Sequence, residues 1–290
     1  MTKYYILSFF WKLFSLIPFR IMFLLADILY YPFYYLVKYR RQIARKNLLA
    51  SFPEKSLSEI IKIEKKFYRY FLEIFLETCK VATISKKEMG RRMKFMNVEL
   101  INDSNSRGKS VSLYLAHYGN WEWISSLNLY VYDYVAGGQI YQKMKNKPFE
   151  KLMLKNRNRF GTANIEMNET LRWINDKIQK NIVSTVGYIA DQSPKIQEVK
   201  HFLHFLNHTV PIFIGTERIV KKYDMDAYYL DIKRVKRGYY ETTFVKMHEN
   251  PKSLPDFELT QIFFNLLESS IKNQPEIYLW THNRFKHAKK

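Results

Sequence analysis

From about residue 108 onward, short apolar runs alternate with longer amphipathic stretches, and this alternation constrains the fold more than any other feature. Three runs have the length and apolar content of buried strands: 110–116, 135–141 and 182–189. Helical periodicity is found over 121–132, 147–160 and 168–180. Strands that alternate with helices favour parallel pairing. The sequence therefore predicts an α/β fold with a mostly parallel sheet flanked by helices.

The flanking regions extend this prediction. Residues 41–80 are typical of helix, with a break at Phe52-Pro53 and with Ser56 or Ser58 as the cap of the second part. A hairpin is expected over 225–247, turning near Arg237-Gly238. A helix is expected over 256–273. With 290 residues, one large domain and a small appendage can form.

The appendage is predicted at the N-terminus. Residues 4–39 are rich in apolar and aromatic side chains, and 21–37 is near the minimum length that spans a bilayer. A spanning helix and an interfacial helical hairpin both fit, and a buried helix of a soluble protein is the alternative. Basic residues follow at Lys38, Arg40 and Arg41, which is typical of the cytoplasmic side. We expect a membrane anchor over 1–40 and a cytoplasmic domain over 41–290.

Charge and cysteine content narrow the class of partner. The 47 basic and 27 acidic residues give a net charge of +20, which favours nucleic acid, an anionic membrane or an acidic protein as partner. Zinc-finger spacing, a basic zipper and an RNP-like motif are all missing from the sequence, which disfavours nucleic acid. The single cysteine, Cys79, excludes an intrachain disulfide and fits a reducing compartment. We expect it to pack within a helix.

The segment from His117 to Glu122, HYGNWE, directly follows the first predicted strand of the sheet. Ligands of α/β sheets bind at the carboxyl ends of strands, and histidine there is suited to proton transfer. On a regular helix the two side chains would lie about 140° apart. A turn through Gly119-Asn120 would let the Glu122 carboxylate orient the imidazole, as in a serine triad. An esterase is a further alternative, although a G-x-S-x-G elbow is missing.

HYGNWE resembles the H-[FWY]-G-N-W-E signature of the late (lauroyl/myristoyl) acyltransferases of lipid A biosynthesis, in the lysophospholipid acyltransferase superfamily with its His-x4-Asp/Glu hallmark. Other segments resemble motifs of the same family in the same order. They are Asn47-Leu48 with 51–54 (SFPE), 141–146 (YQKMKN, with Gln142-Lys143 where the family has Arg-Pro), 157–161 (RNRFG), Asp191-Gln192 and 278–286 (YLWTHNRFK).

The resemblance implies an O-acyltransferase domain over 41–290. His117 would be the general base on an acceptor hydroxyl, Glu122 would hold it, and the donor would be a thioester of acyl carrier protein or coenzyme A. A metal or other cofactor is not implied. Substrate-binding roles are expected for Asn120, Arg157, Arg159, Asp191 and Gln192. The family also has a substrate loop near Thr209, Gly215 and Glu217; Trp280 and His282 would be structural, and Arg284 a surface anchor.

The implied partners are an acidic acyl carrier protein, an anionic lipid and the membrane. The implied location is the bacterial inner membrane, with the catalytic domain on its cytoplasmic face. For the acceptor, the resemblance favours a lipid A precursor; a lysophospholipid or lyso-aminolipid is the neighbouring alternative. The alternative from a different class is a basic nucleic-acid-binding protein.

Overall fold

A seven-stranded sheet lies at the centre of the computed structural model, which describes residues 2–289. The described strands are β1 (Met93–Phe95), β2 (Val111–Leu115), β3 (Ala136–Tyr141), β4 (Ala163–Glu166), β5 (Ser184–Ile189), β6 (Phe202–Phe205), β7 (His208–Pro211), β8 (Asp226–Lys236) and β9 (Tyr239–Lys246). The sheet order is β1-β9-β8-β2-β5-β3-β4, and β6 and β7 form a separate antiparallel hairpin. Within the sheet every neighbouring pair except β8 and β9 is parallel.

Helices flank this sheet. They are α1 (Thr2–Leu16), α2 (Phe19–Tyr31), α3 (Arg41–Ser51), α4 (Leu57–Lys80), α5 (Lys86–Arg92), α6 (Glu99–Ser106), α7 (Lys147–Arg157), α8 (Thr170–Gln179), α9 (Gly215–Tyr223) and α10 (Glu258–Asn273). A π-helical turn, Pro32–Val37, extends α2, and a 3₁₀ helix, Trp123–Leu129, follows β2. The predicted α/β class and mostly parallel sheet are confirmed.

Most predicted elements are present, with differences where local geometry is irregular. The runs at 110–116, 135–141 and 182–189 form β2, β3 and β5, and the hairpin at 225–247 forms β8 and β9. The stretch 121–132 was predicted as a regular helix, but its ordered part is the shorter 3₁₀ helix. Strands β4, β6 and β7 were not predicted, because each has at most four residues and so short a run shows no clear periodicity.

Helix α4 begins where its sequence provides a cap. The Ser56 hydroxyl accepts a hydrogen bond from the Glu59 amide at 3.4 Å, and the Glu59 carboxylate accepts one from the Ser56 amide at 2.8 Å. This reciprocal capping box satisfies two amides at the helix start. Of the two predicted caps, Ser56 is the one used. Cys79, near the end of the same helix, is buried as expected, and burial raises the pKa of its thiol to about 12.

The first two helices pack one side against the domain and expose an apolar other side. In α2, Met22, Ala26 and Tyr30 are buried at successive turns. The opposite faces of the two helices carry exposed apolar side chains: Tyr5, Ile6, Phe9, Phe10, Leu13 and Leu16 in α1, and Ile21, Leu24, Ile28 and Leu29 in α2. Residues Phe19–Val37 form a helix long and apolar enough to cross a membrane.

Ion pairs hold this segment to the domain. The guanidinium of Arg237, at the turn between β8 and β9, makes two 2.8 Å bonds to Asp27 in α2 and a 2.7 Å ion pair to Glu73 in α4. In the π-helical turn, the Tyr34 hydroxyl donates to fully buried Glu64 of α4 at 2.8 Å. The same carboxylate accepts two hydrogen bonds from Arg45 of α3, at 2.7 and 2.9 Å. Helix α4 is therefore the element on which the N-terminal segment docks.

Replacing Glu64 with alanine should lower the free energy of unfolding by roughly 2–3 kcal/mol, because Arg45 and Tyr34 lose their buried acceptor. Urea unfolding followed by circular dichroism would measure this. Glu169→Ala is the matched control, since the Glu169–Arg172 pair is exposed on both sides and its loss should change stability by less than about 0.5 kcal/mol. Equal effects of the two changes would contradict the assignment of Glu64 as the link.

Candidate active site

The pairing of β2 with β5 brings His117 and Asp191 together. In the parallel register Leu115 lies opposite Ile189, and the pairing continues with a bond from the Ala190 amide to the Leu115 carbonyl. His117 and Asp191 each lie two residues beyond these strand ends. Their side chains meet with Nδ1 of His117 2.8 Å from Oδ1 of Asp191. The carboxylate is 3% exposed and the imidazole 19%, so the ring bridges a buried anion and the surface.

Asp191 remains charged in this position. Burial alone would raise the pKa of its carboxyl, but the neighbouring His117 and the charge of Arg284 bring that pKa below its usual value. An ionised Asp191 accepts a hydrogen bond from Nδ1–H, which leaves Nε2 as the basic nitrogen of the ring. The side-chain amide of Gln192 lies 3.2 Å from Nε2. Gln192 therefore occupies the position from which a hydroxyl would approach the base.

Glu122 is not the carboxylate that holds the imidazole, which differs from our expectation. It lies at the start of the 3₁₀ helix, and the guanidinium of Arg157 donates to both its oxygens, from Nε at 2.9 Å and from Nη2 at 2.6 Å. The His–Glu spacing cannot show this partner because Arg157 comes from α7, 35 residues later. Burial alone would raise the pKa of Glu122, but Arg157 and, to a smaller extent, His117 bring it below its usual value.

The C-terminal motif supplies a buried charge rather than a surface anchor. Arg284 was expected at the surface, but it is only 1% exposed, and it donates to the Pro211 carbonyl at 3.2 Å. Burial lowers the pKa of this guanidinium, and the negative charge of Asp191 acts against that shift. His282 lies nearby, and burial lowers its pKa to about 4, so it is neutral. Arg284 thus balances the charge of Asp191 from within the domain.

Asn120 supports the turn that carries the site. It is fully buried; its amide nitrogen donates to Glu77 at 2.7 Å, and its oxygen accepts from the Trp123 amide at 3.2 Å. Both ends of the side chain are used inside the protein, so the expected substrate contact is replaced by a positioning role. Gly119 contributes a positive φ of 60°, and a β-carbon there would collide with the side chain of Ile232. The turn through Gly119-Asn120 exists as predicted and leads to Glu122.

Two other expected substrate-binding positions have internal contacts. Arg159 is exposed and donates to the Val81 carbonyl at the end of α4. Glu217 is buried and accepts from the amides of Phe257 and Thr260 at 2.7 and 3.0 Å. Both therefore satisfy polar groups at helix ends, Arg159 at the C-terminus of α4 and Glu217 at the N-terminus of α10. Thr209 lies in β7, and Gly215 begins α9.

An apolar cavity adjoins the Glu122–Arg157 pair. It contains about 690 Å³ of empty space, part of which is open to solvent. Its walls include Leu113, Leu115, Ile140 and Ile189 from the sheet strands and Ile124 from the 3₁₀ helix, with Gly138 and Gly187 widening it. Trp121 also lines it and packs edge-on against His117, with ring centres 5.2 Å apart.

The site combines a base with a buried anion behind it, a second ion pair and an apolar cavity. This arrangement suits the transfer of a long apolar group to an alcohol, since the base can remove the hydroxyl proton while the chain is held out of water. Within residues 2–289, His, Cys, Asp and Glu form no group of three that could hold a metal ion.

Sequence reasoning missed Glu77 and the role of Arg284. Glu77 is 1% exposed and accepts both the Asn120 amide and, at 2.8 Å, the Tyr240 hydroxyl. The available signal was the pair of acidic residues, Glu73 and Glu77, four positions apart in an otherwise apolar stretch of α4. That spacing places both on one face of a helix, where apolar neighbours indicate burial.

Comparison with known proteins gave one family. The family model described as bacterial lipid A biosynthesis acyltransferase matches residues 1–287. A search of curated proteins gave no match.

Glu77→Gln should remove one pH-dependent contribution to stability. Burial raises the pKa of Glu77 to about 7, whereas an unfolded glutamate ionises near its usual value of about 4.3. As pH rises from about 4.3 to about 7, this carboxyl therefore lowers the free energy of unfolding of the native protein, relative to that of the variant, by roughly 2–4 kcal/mol. The glutamine oxygen can still accept from Asn120 and Tyr240.

Urea unfolding at several pH values would measure this slope. Glu59→Gln, at the exposed start of the same helix, is the control and should leave the slope between pH 5 and pH 7 nearly unchanged. A Glu77→Gln variant with the native slope would show that Glu77 ionises normally.

Proposed function

Because the chain belongs to the bacterial lipid A biosynthesis acyltransferase family, it is an acyltransferase of lipid A biosynthesis; we propose that it transfers a fatty acyl chain from a thioester to a hydroxyl of a lipid A precursor, with His117 as general base. The observation that carries this mechanism is the His117–Asp191 pair at the carboxyl edge of β2 and β5, beside an apolar cavity.

The reaction needs one proton transfer in each direction. Nε2 of His117 takes the proton of the acceptor hydroxyl as its oxygen attacks the thioester carbonyl carbon. The tetrahedral intermediate then collapses with cleavage of the carbon–sulfur bond, and the imidazolium returns its proton to the departing thiolate. Asp191 supports the imidazolium through its 2.8 Å contact with Nδ1. Gln192 moves off Nε2 when the hydroxyl arrives.

Glu122 and Arg157 act as a pair next to the base. Glu122 places a second negative charge near the imidazolium, and Arg157 places a positive charge in the wall of the cavity, where it would stabilise the oxyanion. Each fixes the other through two hydrogen bonds. The His-x4-Glu motif thus contributes electrostatics through Glu122, while Asp191 orients the ring.

The cavity beneath this pair takes the acyl chain of the donor. Most of the side chains that line it from the sheet are apolar, and Glu122 and Arg157 line it as well. A chain inside it would have its carbonyl next to this pair. The donor carrier is proposed to be acyl carrier protein. Its acidity matches the stretch 143–159, which has seven basic residues and one acidic residue, and Lys145, Lys151 and Lys155 in it are exposed.

Changing His117 to alanine should reduce kcat by roughly 10²–10⁴-fold, since the base is lost. Asp191→Asn should lower kcat within the same range with little change in KM. Glu122→Gln should also raise KM for the donor, because the cavity wall loses its ion pair. Transfer of labelled acyl chains to an acylated lipid A precursor, from carrier-protein and coenzyme A thioesters in parallel, would measure these constants.

His204→Ala removes an exposed histidine of β6 and is the control, with native rates expected. Native turnover by folded His117→Ala would exclude the general-base mechanism. Equal kcat/KM for the two donors would contradict the preference for a carrier protein.

The N-terminal segment 1–40 is proposed as an interfacial membrane anchor on the cytoplasmic face of the bacterial inner membrane, with 41–290 as the catalytic domain. Helix α2 is held to the domain along its length, by buried Met22, Ala26 and Tyr30 and by the Asp27–Arg237 pair. A helix covered on one side by a domain presents its other side to lipid, which favours an orientation in the plane of the interface.

The protein should remain on anionic vesicles in high salt but leave them in alkaline carbonate, as interfacial proteins do. Replacing Phe9 and Leu13 with serine should lower the bound fraction, because two exposed apolar side chains are lost. Leu57→Ser, at an exposed position of α4, is the control. Retention in alkaline carbonate would instead indicate a spanning helix.

A further inference from the structure

A second apolar cavity reaches the catalytic centre from the side of the N-terminal helices. Trp121 and Glu122, which line the first cavity, also line this one. It contains about 520 Å³ of empty space, part of it open to solvent. Its walls come from Trp11 of α1, from Ile74, Phe75 and Thr78 of α4, and from Phe149 and Met153 of α7. Two apolar cavities therefore meet at one pair of residues beside His117.

The outer end of the second cavity lies at the proposed lipid-facing surface. Phe75, in its wall, is 52% exposed. Trp11 packs edge-on between Phe75 and Phe149, with ring centres 6.1 Å away in each case. Helix α1 presents Trp11 to the domain while its neighbours Phe10 and Leu13 are exposed. Apolar surface thus runs from the free face of α1 through the cavity to Glu122.

Trp11 also contains an unused hydrogen-bond donor. Its indole Nε1 is buried and has no hydrogen-bond partner among the described residues. An indole N–H can only donate, and a buried donor without an acceptor is unfavourable. The nitrogen is closed to solvent in this structure, so the Trp11 ring must turn slightly for its N–H to donate to an oxygen atom of a ligand in the cavity. The cavity therefore suits a chain that is apolar along most of its length and carries a carbonyl or hydroxyl oxygen.

We propose that the second cavity binds a fatty acyl chain of the acceptor lipid, with an ester, amide or hydroxyl oxygen of that lipid accepting from Trp11 Nε1. This rests on the proposed function, in which two lipid chains must reach one imidazole. The donor chain occupies the cavity between the sheet and the 3₁₀ helix. The acceptor comes from the membrane, so its chain enters the cavity that the N-terminal helix α1 walls.

Thr78→Met tests the site by filling it. Thr78 is the smallest side chain among the residues of the wall, and methionine there would take the space of several methylene groups of a bound chain. The KM for an acylated lipid A precursor in mixed micelles should rise about tenfold, while the donor KM stays native. The same acceptor with its fatty chains removed should show no change in KM.

Trp11→Phe tests the donor without filling the cavity. It retains a ring against Phe75 and Phe149 and removes the N–H, so the acylated acceptor should bind about three- to tenfold more weakly. Ser106→Met adds the same side chain as the first variant at an exposed position of α6 and should have native constants. Thermal unfolding checks that all three variants are folded, and a Kd for the acceptor in micelles measures binding without turnover.

The outcomes separate the two proposals. A change in donor KM or in donor chain-length preference in Thr78→Met would place the donor chain in this cavity and overturn the inference. Native constants for both substrates in folded Thr78→Met and Trp11→Phe would overturn it as well. A wild-type protein that transfers no acyl chain to any acceptor would refute the proposed function, and the acceptor Kd of the variants would still decide whether the cavity binds the lipid.

Discussion

The parallel pairing of β2 with β5 is the constraint on which the site depends. It sets Leu115 opposite Ile189, and it thereby places two loop residues, His117 and Asp191, in hydrogen-bond contact although 74 positions separate them. A shift of one residue in this register would turn one of the two side chains away from the other. Because β2 is buried along all five of its residues, the register is held by the core itself. The catalytic geometry is thus a direct product of sheet packing.

The fold was predictable from the sequence to a greater extent than the contacts of the site. Strands β2, β3 and β5 have clear apolar runs, and parallel pairing follows from the helices between them. His117 was also identifiable, since it follows a strand. The orienting carboxylate was not, because spacing along the chain favoured Glu122, whereas Asp191 arrives from another strand. Arg284 was placed at the surface for the same reason: its burial is determined by long-range packing against Pro211 and the ring of Phe205.

Buried carboxylates on α4 connect the N-terminal helices to the catalytic turn. Glu73 pairs with Arg237, which also holds Asp27 of α2. One turn farther along α4, Glu77 holds Asn120, whose oxygen caps the start of the 3₁₀ helix. Burial is the largest influence on both carboxyls and raises the pKa of each. Buried charges are costly, so the carboxylates of this helix lower stability while they position other parts of the chain. Glu73 holds the N-terminal segment, and Glu77 holds the HYGNWE turn.

Glu122 has a location that explains why a second ion pair is needed beside the base. It lies where two apolar cavities meet, and a carboxylate there would be strongly disfavoured without a partner. Arg157 supplies that partner from α7, the helix that also walls the second cavity through Phe149 and Met153. The Glu122–Arg157 ion pair is therefore a polar site between two apolar cavities. In the proposed reaction, a donor chain in one cavity and an acceptor chain in the other would both reach this pair, which would bring a thioester and a hydroxyl to the imidazole of His117.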